Sequence, residues 1–177
     1  LSRRLAPLAL GVLATAPALH ARRFAAHMAT AGPAAFPGPL VTPADLLSKG
    51  SPQVTFIDGS WHLPTADRNP EAEFAAKRIA GAVKFGMDHV ADQDSSLPHM
   101  MPSAERFAAC MTELGITDAS QPVCVYVTQG CFSAARVWWT FKIFQHHNVF
   151  ILNGGLPAWE AAGGAVESGE PAAPTGS

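Results

Sequence analysis

No run of about 18 uninterrupted apolar residues occurs in the chain, so no membrane-spanning helix is expected. Cysteine is scarce. Cys110, Cys124 and Cys131 are too few for a disulfide scaffold and too far apart for a zinc knuckle. The histidines (His20, His27, His62, His89, His99, His146 and His147) show no metal-ligand spacing, and no metal or cofactor is expected. The Asn153-Gly154-Gly155 turn lacks the Gly-Lys-Ser/Thr ending of a phosphate loop, and no internal repeat is visible. What remains is ordinary globular material: 177 residues, 48 % apolar and 15 % charged, with 15 Gly and 15 Pro. That composition excludes disordered, collagen-like and coiled-coil chains and fits one domain with a real core.

Acidic residues are absent from positions 1–30, where Arg3, Arg4, Arg22 and Arg23 lie. Of the 12 Lys and Arg, these four belong to the leader, so the body sets 8 cations against 14 carboxylates, a net of −6. An acidic body argues against nucleic acid as a partner, because phosphate binding needs clustered Lys and Arg. The acid-free, Arg-rich segment 1–30 is expected to be a targeting leader, mitochondrial (matrix side) by preference, with plastid import or secretion as alternatives. A secretory signal would explain the apolar run at 5–19 after the first arginines, but the second Arg pair lies where small neutral residues are favoured. The start on Leu1 rather than Met implies a processed chain or part of a longer product. Residues 31–39 form a Gly/Pro/Ala spacer, 40–166 the folded domain, and 167–177 a tail or linker.

The domain alternates helix and strand signals. Thr42-Pro43-Ala44-Asp45 opens a short helix with an N-cap, Pro at the first position and an early acid; Leu46 and Leu47 are expected to face the core. Residues 54–58 form a strand, Asn69-Pro70-Glu71 starts a helix to Arg78, and 81–85 return to extended structure. Ser103 caps a helix carrying Phe107, Cys110, Met111 and Leu114 at i, i+3, i+4 and i+7. The near-continuous apolar run 122–127 fits a strand of a buried parallel sheet. A helix over 133–146, a strand over 149–152 and a helix over 156–162 complete the series. His146 and His147, at the helix end, suit its negative pole. The architecture expected is α/β, a mainly parallel central sheet flanked by helices.

In such sheets ligands bind where strands end and helices begin. The candidate loop is therefore Val127, Thr128, Gln129, Gly130, Cys131 and Phe132, whose following helix presents its positive pole. Cys110 and Cys124 read as small core hydrophobes. Arg136 reads as a structural donor to a carboxylate or backbone carbonyls, with substrate-anion binding as the alternative. Helix residues 132–144 are apolar on nearly every face. That makes Trp138, Trp139, Phe141 and Phe144 candidates for an interface, unless the fold itself covers them.

Tyr126-Val127-Thr128-Gln129-Gly130, Arg136-Val137-Trp138-Trp139 and Leu152-Asn153-Gly154-Gly155-Leu156-Pro157-Ala158-Trp159 resemble a rhodanese domain. More narrowly, with Asp58-Gly59-Ser60-Trp61-His62-Leu63-Pro64, Arg78-Ile79-Ala80-Gly81-Ala82 and Leu97-Pro98-His99-Met100-Met101-Pro102, they resemble the amino-terminal half of two-domain thiosulfate and 3-mercaptopyruvate sulfurtransferases. The resemblance runs from about Leu40 to Gly164 and implies a rhodanese-like sandwich. It also implies that an active domain places a cysteine directly after the strand, with amides cradling its persulfide. Val127 occupies that position, and a valine cannot ionise or carry sulfur.

The expected function is therefore that of a catalytically inactive rhodanese-like domain, a structural or accessory subunit of an organellar assembly. Its expected partners are other protein subunits or a missing second rhodanese domain. The alternative is sulfurtransferase activity, either as the amino-terminal half of a two-domain enzyme or with Cys131 as persulfide carrier near Arg136. The four residues between Cys131 and Arg136 are one too few for a Cys-based phosphatase loop.

Overall fold

The computed structural model describes residues 34–130 and 132–170. Leader positions 1–30, Cys131 and the end of the tail lie outside the described residues. Five parallel strands form the sheet: β1 (Leu40–Val41), β2 (Thr55–Asp58), β4 (Val83–Lys84), β5 (Val123–Tyr126) and β6 (Val149–Leu152), in the order β1-β6-β5-β2-β4. A separate antiparallel pair joins β3 (Arg78–Ile79) to β7 (Val166–Glu167). The helices are α1 (Pro43–Leu47), α2 (Pro70–Ala76), α3 (Met87–Val90), α4 (Ala104–Glu113), α5 (Phe132–Ile143) and α6 (Gly155–Ala161), with a 3₁₀ turn at Pro64–Ala66.

The central strands are buried on both faces, which is why their sequences read as apolar runs. Along β5, Val123 and Val125 face one core with Ile57, Phe107, Met111 and Phe141. Cys124 and Tyr126 face the other, with Val41, Phe74, Phe150 and Trp159. The local signals read in the sequence carry through. Thr42 and Asp45 form a capping box on α1, Asn69 caps α2 through Glu71 N and Ala72 N, and Ser103 caps α4 through Arg106 N. Each satisfies amides that a helix start leaves unpaired.

Several boundaries differ from the sequence expectation. Helix α2 stops at Ala76, and Arg78 enters strand β3, paired with Glu167. The Arg78 guanidinium, 2 % exposed, donates to Glu167 Oε1 at 2.8 Å and to the Gly169 carbonyl at 2.7 Å. The fold therefore takes in chain beyond residue 166. At the other end Ile151 N donates to the Pro39 carbonyl at 2.8 Å, and Phe36 packs edge-on against Phe150. Part of the 31–39 spacer thus belongs to the packed domain. Helix α1 buries no residue fully and Leu47 is exposed, because this short helix flanks the two-residue edge strand.

His146 does not sit at a solvated helix pole. It is fully buried, edge-on to Phe141, and its Nε2 donates to the Gln121 carbonyl at 2.8 Å. Burial pushes its pKa down from 6.5 to about 4. The unfolded chain therefore binds more protons than the folded one between those values, and stability falls as pH drops through that window. We expect this group alone to cost up to about 1.4 kcal/mol per pH unit there. Urea unfolding of His146→Gln between pH 7 and 4 should show a shallower loss than wild type; an unchanged slope refutes the assignment.

Candidate functional site

Connections leave β2 toward β4 and β5 toward β6, in opposite directions, so the switch point of the sheet lies between β2 and β5. Ligand crevices of open α/β folds lie at such carboxyl ends. Here the two ends supply Asp58-Gly59-Ser60 and Val127-Thr128-Gln129-Gly130. The segments touch closely: a Cβ on Gly59 would meet Val137 Cγ2 at 3.0 Å and Val125 Cγ1 at 3.1 Å. Gly130, with φ +72°, turns the loop toward α5.

Asp58, fully buried, accepts from Ser60 N at 2.7 Å and from Lys84 Nζ at 3.2 Å. Asp58 and Lys84 are direct neighbours across the β2–β4 pair. Lys84 also donates to the Ser60 carbonyl at 2.8 Å, and Ser60 Oγ accepts from Thr128 N at 2.9 Å. Burial pushes the Tyr126 phenol up, and the Asp58 carboxylate adds to that shift.

Above this layer lies a second one. Arg68 grips Glu73 with Nε and Nη2, both at 2.7 Å, and Gln129 Oε1 with Nη1 at 2.6 Å. His62 Nε2 lies 3.0 Å from Glu73 Oε2, and Thr128 Oγ1 donates to the same oxygen at 3.2 Å. Partial burial raises the Glu73 pKa, but the bonds from Arg68 and His62 outweigh it and hold the carboxyl below its ordinary range. A cleft of about 630 Å³ opens beside these groups, lined among others by Ser60, Trp61, His62, Phe85 and His99.

Among the described residues, each cation near the loop thus has an internal partner. Arg68 is committed to Glu73 and Gln129, Lys84 to Asp58, and Arg136 donates to the His99 carbonyl while lying over the Trp139 ring. An incoming anion would have to displace one of these pairs. The network positions the described part of the loop.

Val127, the residue after strand β5, is 3 % exposed, with its carbonyl accepting from Leu156 N at 3.0 Å. Thr128 is half-buried at the centre of the network, while Gln129 and Gly130 are exposed. Cys131 lies outside the described residues. Phe132 is 61 % exposed and packs edge-on to Trp61.

The interface candidates divide. Phe141 is fully buried and belongs to the core, a correction whose cause is that α5 packs it against Phe107 and Phe85. Phe144 stacks on Phe107 with centroids 4.3 Å apart, and Trp138 Nε1 donates to the Val149 carbonyl at 3.0 Å. Both therefore serve the chain's own packing. Trp139 stays exposed, and the outward stripe of α5 is Phe132, Trp139 and Ile143.

Sequence reasoning does not single out Arg68, Glu73 or Lys84. Nothing in their spacing marks them; Lys84 comes to the loop because β4 pairs with β2, and Arg68 and Glu73 through their bonds to Gln129 and Thr128. Asp58, Ser60 and His62 are visible in the sequence only as parts of a motif.

The profile of the family described as Rhodanese-like domain matches residues 44–162. The thiosulfate/3-mercaptopyruvate sulfurtransferase 1, mitochondrial, of Arabidopsis thaliana is 47 % identical over 117 residues, 66 % of this chain and 31 % of that protein. A probable 3-mercaptopyruvate sulfurtransferase of Schizosaccharomyces pombe is 38 % identical over 128 residues, 72 % of this chain and 43 % of that protein. Among solved structures, the 3-mercaptopyruvate sulfotransferase of Escherichia coli superposes with TM-score 0.69 at 34 % identity, covering 77 % of this chain and 52 % of that one. The sulfur transferase subunit of yeast mitochondrial complex I, a sub-stoichiometric component, gives TM-score 0.67 at 34 % identity, covering 76 % and 48 %. The chain therefore spans about a third to a half of the length of the relatives it matches.

Proposed function

The chain belongs to the rhodanese-like domain family, and from that premise we propose that it is a non-nucleophilic rhodanese-like domain, acting as a structural or accessory unit of a mitochondrial protein assembly. One observation carries this reading: the strand-end position that the family resemblance assigns to the sulfur-carrying cysteine is Val127. A saturated hydrocarbon side chain offers no lone pair and no ionisable proton, so no persulfide forms there. The closed pairing of Arg68, Lys84 and Arg136 supports the same conclusion, since an anionic donor such as thiosulfate finds no cation without an internal partner among the described loop contacts. The acid-free leader and the mitochondrial relatives favour the compartment. Trp139, Phe132 and Ile143 supply an apolar stripe for a neighbouring protein.

The purified chain is expected to form no thiocyanate from thiosulfate and cyanide above the uncatalysed rate, and to release no sulfur from 3-mercaptopyruvate to a thiol acceptor. Turnover that disappears in Cys131→Ser would overturn the reading and assign Cys131 as the carrier. Native electrophoresis of mitochondrial extract should place the chain in a large complex; a partnerless monomer refutes the accessory role.

A second reading is favoured by the partial coverage of the relatives, which are sulfurtransferases matched over roughly their amino-terminal half. In that case this domain is the positioning half of a two-domain sulfurtransferase. The discriminator is the downstream reading frame. A second rhodanese-like unit bearing a cysteine directly after its strand establishes the enzyme, and added in trans it should restore sulfur transfer.

A further inference from the structure

Helices α3 and α4 bring together three donor side chains that take no part in the network around Thr128. Cys110 and Glu113, three residues apart on α4, share one face of that helix. His89 reaches the same spot from α3. One nitrogen of His89, Cys110 Sγ and one carboxylate oxygen of Glu113 all lie within 4.8 Å of one another. His89 Nε2 is 3.1 Å from Glu113 Oε2. Cys110 forms a buried floor, and His89 and Glu113 an exposed rim.

We propose that His89, Cys110 and Glu113 form a binding site for a borderline-soft divalent cation of the zinc class, with solvent in the fourth position. The donor set selects the ion: imidazole and thiolate suit zinc, whereas magnesium and calcium take oxygen donors alone. On binding, the Cys110 S–H bond breaks, its proton leaves to solvent, and the sulfur lone pair goes to the metal. Thiolate and carboxylate together neutralise the double positive charge. Metal–ligand bonds of roughly 2.0–2.3 Å require the donors to draw closer than they stand now. The exposed His89 and Glu113 side chains turn inward to do so, while Cys110 is held by the core.

Arg106 braces the arrangement. Its Nε donates to the Ala91 carbonyl at 3.0 Å and its Nη2 to the His89 carbonyl, tying α3 to α4. Burial pushes the Cys110 thiol up; the Arg106 guanidinium charge lowers it and the Glu113 carboxylate raises it, and a bound cation would neutralise that last effect. The expectation of no metal rests on spacing along the chain, which does not register a site assembled across two helices.

The test is titration of the full chain with Co²⁺, whose bond to a thiolate gives a near-ultraviolet charge-transfer band. One equivalent is expected to bind with that band. Cys110→Ser should abolish the band, and Cys131→Ser should keep it. His89→Gln and Glu113→Gln, at exposed positions that leave the core intact, should each weaken binding by about 10–100-fold, the scale on which even outer-shell partners act. Zn²⁺ should displace Co²⁺ and bleach the band. Absence of a band in wild type, its survival in Cys110→Ser, or unchanged affinity in the His89→Gln/Glu113→Gln double variant refutes the site. None of these readouts depends on sulfur transfer.

Discussion

Lys84→Met is expected to destabilise the chain by about 3–5 kcal/mol, the cost of leaving one member of a buried ion pair alone. Asp58 is fully buried, and Lys84, mostly buried, is its cationic partner at 3.2 Å. Removing the ammonium strands a carboxylate in a low-dielectric interior, where Met fills the volume but offers no charge. The consequence extends to the loop. Asp58 fixes Ser60 N, and Ser60 Oγ in turn fixes Thr128 N. Denaturant unfolding measures the loss, and Lys84→Met/Asp58→Asn should recover most of it because the orphaned charge is gone. A single-variant loss below about 1 kcal/mol, the scale of an exposed pair, would show that the pair is worth no more than a surface contact.

Gly155→Ala is expected to cost about 3 kcal/mol or more, from backbone strain and overpacking acting together. Gly155 has φ +58°, and a Cβ there would stand 2.3 Å from the Val127 carbonyl oxygen, itself the acceptor of Leu156 N. That oxygen is backbone of the segment that follows strand β5, so it cannot retreat like the end of a flexible side chain. Gly50→Ala is the control. Gly50 has φ +87°, and a methyl added there would meet nothing within 4 Å. It should incur only the left-handed backbone penalty of about 1–2 kcal/mol. Equal losses in the two variants would show that the contact with Val127 carries no weight.

The α/β class is legible because it is written in short-range patterns. The β5 strand is an apolar run, and Thr42, Asn69 and Ser103 precede their helices as caps whose side chains bond amides two or three residues on. Arg78 reads as helical in the sequence because its place in β3 comes from Glu167 and Gly169, far along the chain. Phe141 reads as an interface residue for a similar reason. An all-apolar helix does not say which of its faces the rest of the molecule covers, and Phe107 and Phe85 cover that one.

By itself the sequence determined the layered α/β fold and the valine that follows strand β5, since these depend on residue type and near-neighbour spacing. Only the tertiary structure decided what surrounds the loop after that valine. Arg68, Glu73, His62, Lys84 and Thr128 come from separate segments, and so do His89 and Cys110. A parallel sheet brings such segments side by side through crossovers, so distance along the chain carries no information about their contact.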